Sequence, residues 1–107
     1  MIDWDRVKLL REEVGEEDFE EVVDIFLEEV DEGVQPLRKG DGVAGLAERM
    51  HSLKGSALNL GFAEFSTLCQ TAETMSANGR ATDVDLADIV GCYDQSRTVF
   101  VCGLEGL

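Results

Sequence analysis

The segment Glu17–Glu32, EDFEEVVDIFLEEVDE, has the clearest periodic pattern in the chain. Its apolar residues recur every three or four positions, which places them on one face of an α-helix, and acidic residues occupy the opposite face. Such a helix is stable in a protein chiefly because its apolar face packs against a core. The segment therefore predicts a core-facing helix whose apolar stripe consists of Phe19, Val22, Val23, Phe26, Leu27 and Val30.

The sequence allows two positions for the C-terminal end of this helix. Val34 and Leu37 continue the apolar spacing, so the helix can extend to about Lys39. Gly33 and Pro36 argue instead for a kink or an earlier end, because a proline inside a helix removes a hydrogen bond and clashes with the preceding turn. The sequence is compatible with both alternatives.

Helical periodicity covers most of the remaining chain, and glycines between the periodic segments serve as end signals. Asp41 is a suitable N-cap for the third helix, and Thr82 with Asp85 forms a variant of the capping box that opens the fifth. The core stripe of the third helix is predicted to be Leu46, Met50, Leu53, Ala57 and Leu60. The four further helices are expected from about Asp3 to Val14, from Asp41 to about Leu60, from about Phe62 to Asn78 and from Thr82 to about Cys102.

No segment alternates apolar and polar residues in the manner of a β-strand, which favours an all-α fold. Amphipathic helices joined by short connections can bury their apolar stripes only against one another. The sequence therefore predicts an antiparallel four-helix bundle with a short additional N-terminal helix. A chain of 107 residues is too short for two substantial cores, so residues 1–107 are expected to form a single domain.

The charge balance excludes several classes of partner. Nine Lys and Arg stand against 23 Asp and Glu, a net charge of −14, which repels nucleic acid and anionic membrane surfaces. No apolar run approaches the roughly 20 residues of a membrane span, and the N-terminal residues lack the pattern of a signal peptide. We therefore expect a cytoplasmic monomer. The spacings of the three cysteines fit neither a metal site nor a disulfide framework, so we expect buried reduced thiols at Cys69, Cys92 and Cys102.

The only histidine, His51, lies in the middle of the predicted third helix. Helical spacing puts Ala47, Lys54 and Leu58 on the same side, away from the centre of the core stripe, so the imidazole is expected to reach solvent. At pH 7 an exposed imidazole is largely uncharged and leaves one ring nitrogen free as a nucleophile.

Two neighbours of His51 point to a phosphoryl group. Gly55 lies one turn away, and a glycine inside a helix costs about 1 kcal/mol relative to alanine, so some function must offset that cost. The missing Cβ allows the surface of another protein to approach the ring closely. Lys54 places a positive charge one turn from the imidazole, where it can attract a phosphoryl group. Together these residues predict a phosphoryl acceptor at His51.

The run His51–Ala57, HSLKGSA, followed by Asn59–Phe62, NLGF, resembles the HxxKGxx…G signature of histidine-containing phosphotransfer (HPt) domains. The helix count and the chain length agree with the four-helix bundle of that family. The resemblance implies a phosphorelay intermediate that is phosphorylated on His51. Its implied partners are the aspartate of a response-regulator receiver domain and a hybrid histidine kinase. It also implies a carrier rather than an enzyme, with no cofactor of its own and with Mg²⁺ on the receiver.

The same resemblance implies roles for residues around His51. Lys54 would steady the phosphoryl group, Gly55 would admit the receiver, and Gly61 would shape the tight turn between the third and fourth helices. Family members also hydrogen-bond the histidine ring from the next helix, and the matching position is Glu73, where many members have glutamine. Gln70, one turn earlier, is the competing candidate. A carboxylate can accept the ring N–H and select the tautomer, although its charge opposes an incoming phosphate.

Docking of a receiver near His51 would use an apolar patch on the neighbouring helices. Ile25 lies off the apolar stripe of the second helix, and Ala47 and Leu58 lie on the same side of the third helix as His51. We therefore predict that Ile25, Ala47 and Leu58 contribute to the docking surface.

Three other features of the sequence could indicate a function different from phosphotransfer. The main alternative is a non-catalytic acidic helical module that binds a partner through its surface, with His51 incidental. Glu48 and His51 match the ExxH spacing of di-iron bundles, but the chain has no second histidine. The run Gly40–Gly45 matches GxGxxG, yet a dinucleotide site needs a strand before it, where a helix is predicted. No other segment resembles an ATP-binding motif, so the domain is not expected to phosphorylate itself.

Overall fold

The computed structural model describes residues 1–40 and 43–107, and five α-helices lie within these ranges. None of the helices in the described ranges has both the length and the apolar character needed to cross a membrane. A single turn of 3₁₀-helix at Ala81–Asp83 precedes the last helix. The helices are α1 (Trp4–Val14), α2 (Glu16–Arg38), α3 (Leu46–Leu60), α4 (Ala63–Ala77) and α5 (Leu86–Leu104).

Helices α2 to α5 pack around a common core. Helix α3 packs against α2 and α4, and α5 packs against the same two helices, which closes a four-helix bundle. Helix α1, the first helix of the chain, packs against α2 and α3. The predicted all-α bundle with a short additional N-terminal helix is therefore confirmed. In this arrangement the α3–α4 side and the α2–α5 side are opposite surfaces of the bundle.

The core contains most of the apolar positions that the periodicity predicts, whereas Val22 of the predicted α2 stripe is only half-buried and lies outside it. Phe62 packs edge-on against Phe100 with ring centroids 5.2 Å apart, and Phe65 packs against Tyr93 at 5.4 Å. All five predicted stripe residues of α3 are buried, which sets the rotation of this helix about its own axis. The opposite face of α3 is consequently directed to solvent.

Helix α2 continues to Arg38, so the longer of the two sequence alternatives is observed. Pro36 lies in its last turn, where the missing N–H removes a single helical hydrogen bond, and the buried Leu37 anchors this turn in the core. Gly33 serves a close approach of α2 to α3, because a Cβ at this position would lie 2.6 Å from Leu53 Cδ2.

Two predicted helix starts are wrong. Helix α3 begins directly after Gly45, whose φ of 70° breaks the helical conformation before that point, and the proposed cap Asp41 lies outside the described residues. For α5 the predicted capping box does not form, because Thr82 belongs to the 3₁₀ turn. Asp85 is itself the N-cap, and its carboxylate accepts a hydrogen bond from the Asp88 N–H at 3.1 Å.

The connection between α3 and α4 is as short as predicted. Gly61 has a φ of 76°, and the Phe62 N–H donates to the Ala57 carbonyl at 2.9 Å, as in a Schellman helix end. The Asp3 N–H donates to the Gly61 carbonyl at 2.7 Å, and a Cβ on Gly61 would lie 2.6 Å from the Asp3 oxygen. This turn brings α4 back alongside α3, so that side chains of the two helices face one another.

The cysteines follow the prediction in part. Cys69 and Cys92 are buried free thiols, and burial raises the pKa of Cys69 to about 12, which keeps it protonated. Cys102 is exposed, contrary to expectation, because it lies on the outward face of α5 near its end.

Candidate functional site

His51 projects from the solvent-facing side of α3. Its side chain is 69% exposed, which confirms that the imidazole reaches solvent. The flanking residues Met50 and Leu53 are buried, and their contacts with the core hold α3 in the rotation that directs His51 outward. The ring is therefore accessible to a second protein.

Glu73 on α4 connects His51 with Lys54. Its Oε2 lies 3.1 Å from His51 Nδ1, and its Oε1 accepts a hydrogen bond from Lys54 Nζ at 3.0 Å. The side chains of Glu73 and Lys54 are 23% and 22% exposed, so both are much better shielded than the imidazole. Of the two candidates for contact with the ring, the structure places Glu73 there.

The Glu73 carboxylate also selects the tautomer of the ring. The hydrogen bond from Lys54 holds the pKa of Glu73 below its usual range, and the hydrogen bond from His51 acts in the same direction, while desolvation opposes both. The group is therefore ionised at neutral pH and can only accept hydrogen bonds. His51 Nδ1 must then carry the hydrogen, which leaves the lone pair of the neutral ring on Nε2.

Gln70 contacts Lys54 rather than the ring. Lys54 Nζ donates to Gln70 Oε1 at 2.8 Å, and Gln70 Nε2 donates to Thr74 Oγ1 at 3.2 Å. Thr74 was not among the residues predicted from the sequence. Its position four residues after Gln70, on the same face of α4, is the signal that could have identified it.

Gly55 lies on the exposed face of α3, one turn from His51. Apart from its chain neighbours and the nearby backbone of α3, a Cβ built at this position would meet no heavy atom of the described residues within 4 Å, and the backbone here is helical. Packing among residues 1–40 and 43–107 therefore gives no reason for a glycine here, in contrast to Gly33 and Gly61.

The three predicted docking residues occupy two helices. Ile25 on α2 is 57% exposed and Leu58 on α3 is 53% exposed, which are high values for large apolar side chains. Ala47 is partly buried and precedes His51 by one turn of α3. Spacing places Ala47 and Leu58 beside His51 on one helix face, whereas Ile25 belongs to the neighbouring helix.

The alternative sites receive no support from the geometry. Within residues 1–40 and 43–107, no group of three or more His, Cys, Asp or Glu side chains is arranged to hold a metal ion. The glycine-rich run at 40–45 includes two positions outside the described residues, and helix α2 precedes it in place of the strand that a dinucleotide site requires.

Comparison with known protein families gives one result. The model of the Hpt domain matches residues 21–99, which span the region from α2 to most of α5 and include His51, Lys54 and Glu73. Searches of curated proteins and of solved structures return no significant match. The family match extends over most of the chain and agrees with the helical bundle described above. The chain therefore belongs to the Hpt domain family, whose domains carry phosphoryl groups on a histidine in two-component phosphorelays.

Proposed function

We propose that residues 1–107 act as one phosphorelay domain that accepts a phosphoryl group on Nε2 of His51 and exchanges it with the aspartate of a receiver domain. The observation that carries the proposal is the contact between His51 Nδ1 and Glu73 Oε2. Because an ionised carboxylate accepts the Nδ1 hydrogen, the nucleophilic lone pair is on Nε2. The exposure of the ring supports the same role.

The transfer is a displacement at phosphorus. The lone pair of His51 Nε2 forms a bond to the phosphorus of the aspartyl phosphate, and the bond from phosphorus to the aspartyl oxygen breaks. The aspartate leaves with that electron pair as a carboxylate. The imidazole keeps its Nδ1 hydrogen and becomes positively charged, and the adjacent Glu73 carboxylate stabilises this charge. Reversal of the same step passes the phosphoryl group to a second receiver. We expect the receiver to supply Mg²⁺.

Lys54 is proposed to steady the phosphoryl group. Its ammonium has three donors, of which Gln70 and Glu73 accept two. We propose that the third N–H serves a phosphoryl oxygen. Since Lys54 also offsets the charge of Glu73, the carboxylate can orient the ring while its repulsion of the phosphate is reduced.

Access for the partner is proposed to depend on Gly55 and on exposed apolar residues of α2 and α3. The open space beside Gly55 leaves room for the surface of a receiver, and the exposed side chains of Ile25 and Leu58, with Ala47, offer apolar contact. In this proposal the chain is a cytoplasmic monomeric carrier without an ATP site of its own, and a hybrid histidine kinase supplies the phosphoryl group through its receiver.

A transfer assay tests the proposal. A receiver labelled with ³²P on its aspartate is mixed with the wild type, His51→Gln and Ser52→Ala, each shown by circular dichroism to be folded. We expect acid-labile label on the wild type and on Ser52→Ala, and none on His51→Gln. Label on folded His51→Gln would contradict the assignment of His51. Binding of receivers without any label on the wild type would instead favour a plain interaction module.

A further inference from the structure

Gln70 makes the shorter of the two hydrogen bonds to the ammonium of Lys54. Its Oε1 lies 2.8 Å from Lys54 Nζ, compared with 3.0 Å for Glu73 Oε1. Gln70 and Glu73 are three residues apart on α4 and therefore lie on one face of that helix. The ammonium of Lys54 is thus held by two side chains of the neighbouring helix.

The orientation of the Gln70 amide is consistent at both of its ends. The ammonium of Lys54 has no lone pair, so it requires the amide oxygen as its partner. At the other end, the Thr74 hydroxyl donates its single hydrogen to the backbone carbonyl of Gln70 at 3.1 Å. The hydroxyl can then only accept from Gln70 Nε2, which lies 3.2 Å away. The hydrogen bonds accordingly run in one direction, with Lys54 donating to Gln70 and Gln70 donating to Thr74.

We propose that Gln70 is a positioning residue that holds the Lys54 ammonium where a phosphoryl group on His51 can reach it. This inference rests on the proposed function. A lysine side chain is flexible. Two acceptors that fix its ammonium beforehand reduce the conformational entropy that the side chain loses during transfer. Gln70 acts through Lys54 and does not contact the ring.

The neutral charge of the amide is part of this role. Glu73 already places one negative charge against the one positive charge of Lys54. A carboxylate at position 70 would make the cluster of Lys54, Glu73 and residue 70 net negative, and an incoming phosphoryl group would be repelled. An amide oxygen holds the ammonium without cancelling its charge.

A double-mutant cycle with Gln70→Met and Lys54→Ala tests the inference. Methionine has nearly the shape of glutamine but lacks the amide oxygen, and its thioether is only a weak acceptor. The exposed position on α4 tolerates it. We expect Gln70→Met to slow phosphoryl transfer from a labelled receiver, or to shorten the lifetime of the phosphohistidine, by about fivefold. In the Lys54→Ala background the same substitution should produce no further change.

Two additional variants separate hydrogen bonding from charge and from general effects. Gln70→Glu keeps an acceptor and adds a negative charge, so it should also slow transfer when Lys54 is present. Gln95→Met on α5 is a matched control, because Gln95 is an exposed glutamine on a helix that does not contribute to the site, and its transfer rate should equal that of the wild type.

The outcomes distinguish this inference from the proposed function. Absence of label on the wild type would overturn the proposed function. A labelled wild type with Gln70→Met equally fast and equally long-lived would overturn the positioning role alone. An equal loss from Gln70→Met with and without Lys54 would also overturn it, since the effect would then not pass through the ammonium.

Discussion

Replacing Gly55 with alanine should stabilise the fold and impair transfer at the same time. The position is helical and exposed, and beyond the local backbone of α3 the added Cβ meets no heavy atom of the part of the chain that the structure describes within 4 Å. Alanine is favoured over glycine in a helix by about 1 kcal/mol, mainly through the lower entropy of the unfolded chain. For a chain of 107 residues this corresponds to a rise in Tm of about 4 °C.

The same methyl group should interfere with the receiver. If the surface of the partner approaches His51 over the bare backbone at residue 55, a Cβ displaces the reacting atoms, and small misplacements slow group transfer strongly. We expect Gly55→Ala to slow transfer about tenfold and the larger Gly55→Gln to slow it about a hundredfold. Both rates are measured by quenching the transfer from a labelled receiver at successive times. Thermal unfolding followed by circular dichroism measures stability.

Gly91→Ala is the matched control for this experiment. Gly91 is also an exposed glycine inside a helix, α5. Outside the local helix backbone, a built Cβ has no heavy atom of the described ranges within 4 Å, and α5 does not contribute to the site. It should give a similar rise in Tm with an unchanged transfer rate. A Gly55→Gln protein that transfers as fast as the wild type would refute the role of Gly55 in access. A loss of stability in Gly55→Ala would refute the claim that a Cβ at residue 55 fits without a clash.

Three further predictions concern the turn, the docking surface and the site carboxylate. Gly61→Ala should lower the free energy of unfolding in urea by about 1–3 kcal/mol, because the position has a φ of 76° and a Cβ would lie 2.6 Å from the Asp3 oxygen; an unchanged midpoint would contradict this. Ile25→Asp should weaken receiver affinity about tenfold without loss of stability, as titration calorimetry and urea unfolding would show, and unchanged affinity would remove Ile25 from the docking surface. Since Lys54 lowers the pKa of Glu73, the ionised carboxylate stabilises the fold above its ordinary pKa of 4.5, and this contribution is lost as the pH falls through the lowered value. Urea unfolding should therefore show Glu73→Gln less stable than the wild type at pH 7, with the difference shrinking toward pH 3; a constant difference would refute the ionic contribution.

The buried and exposed faces of the helices could be predicted because they follow from local spacing. The stripe from Leu46 to Leu60 is buried throughout, and the exposure of His51 follows from the same periodicity. The turn at Gly61 was also predictable, since a glycine after a periodic segment marks a helix end. Helix starts were predicted less well. Asp85 is suitable both as a cap and as a first-turn residue, and the local sequence does not distinguish these roles.

Contacts between side chains of different helices could not be predicted in the same way. Glu73 and Gln70 are three residues apart on one face of α4, and both can reach α3. The partner of each depends on the rotation and axial offset of α4 relative to α3, which the packed core and the turn at Gly61 set together. A shift of α4 along α3 by about one helical turn would bring Gln70 to the level that Glu73 occupies, since three residues span about 4.5 Å of helix.

The order of apolar and polar residues along the chain is thus sufficient for the helical bundle, for the exposed histidine and for its lysine and glycine neighbours, because these properties depend on spacing within one helix. The bridge from His51 through Glu73 to Lys54, and the contact of Lys54 with Gln70, join residues 16 to 22 positions apart. Such contacts exist only once two helices have packed, since their distances follow from the relative placement of the helices.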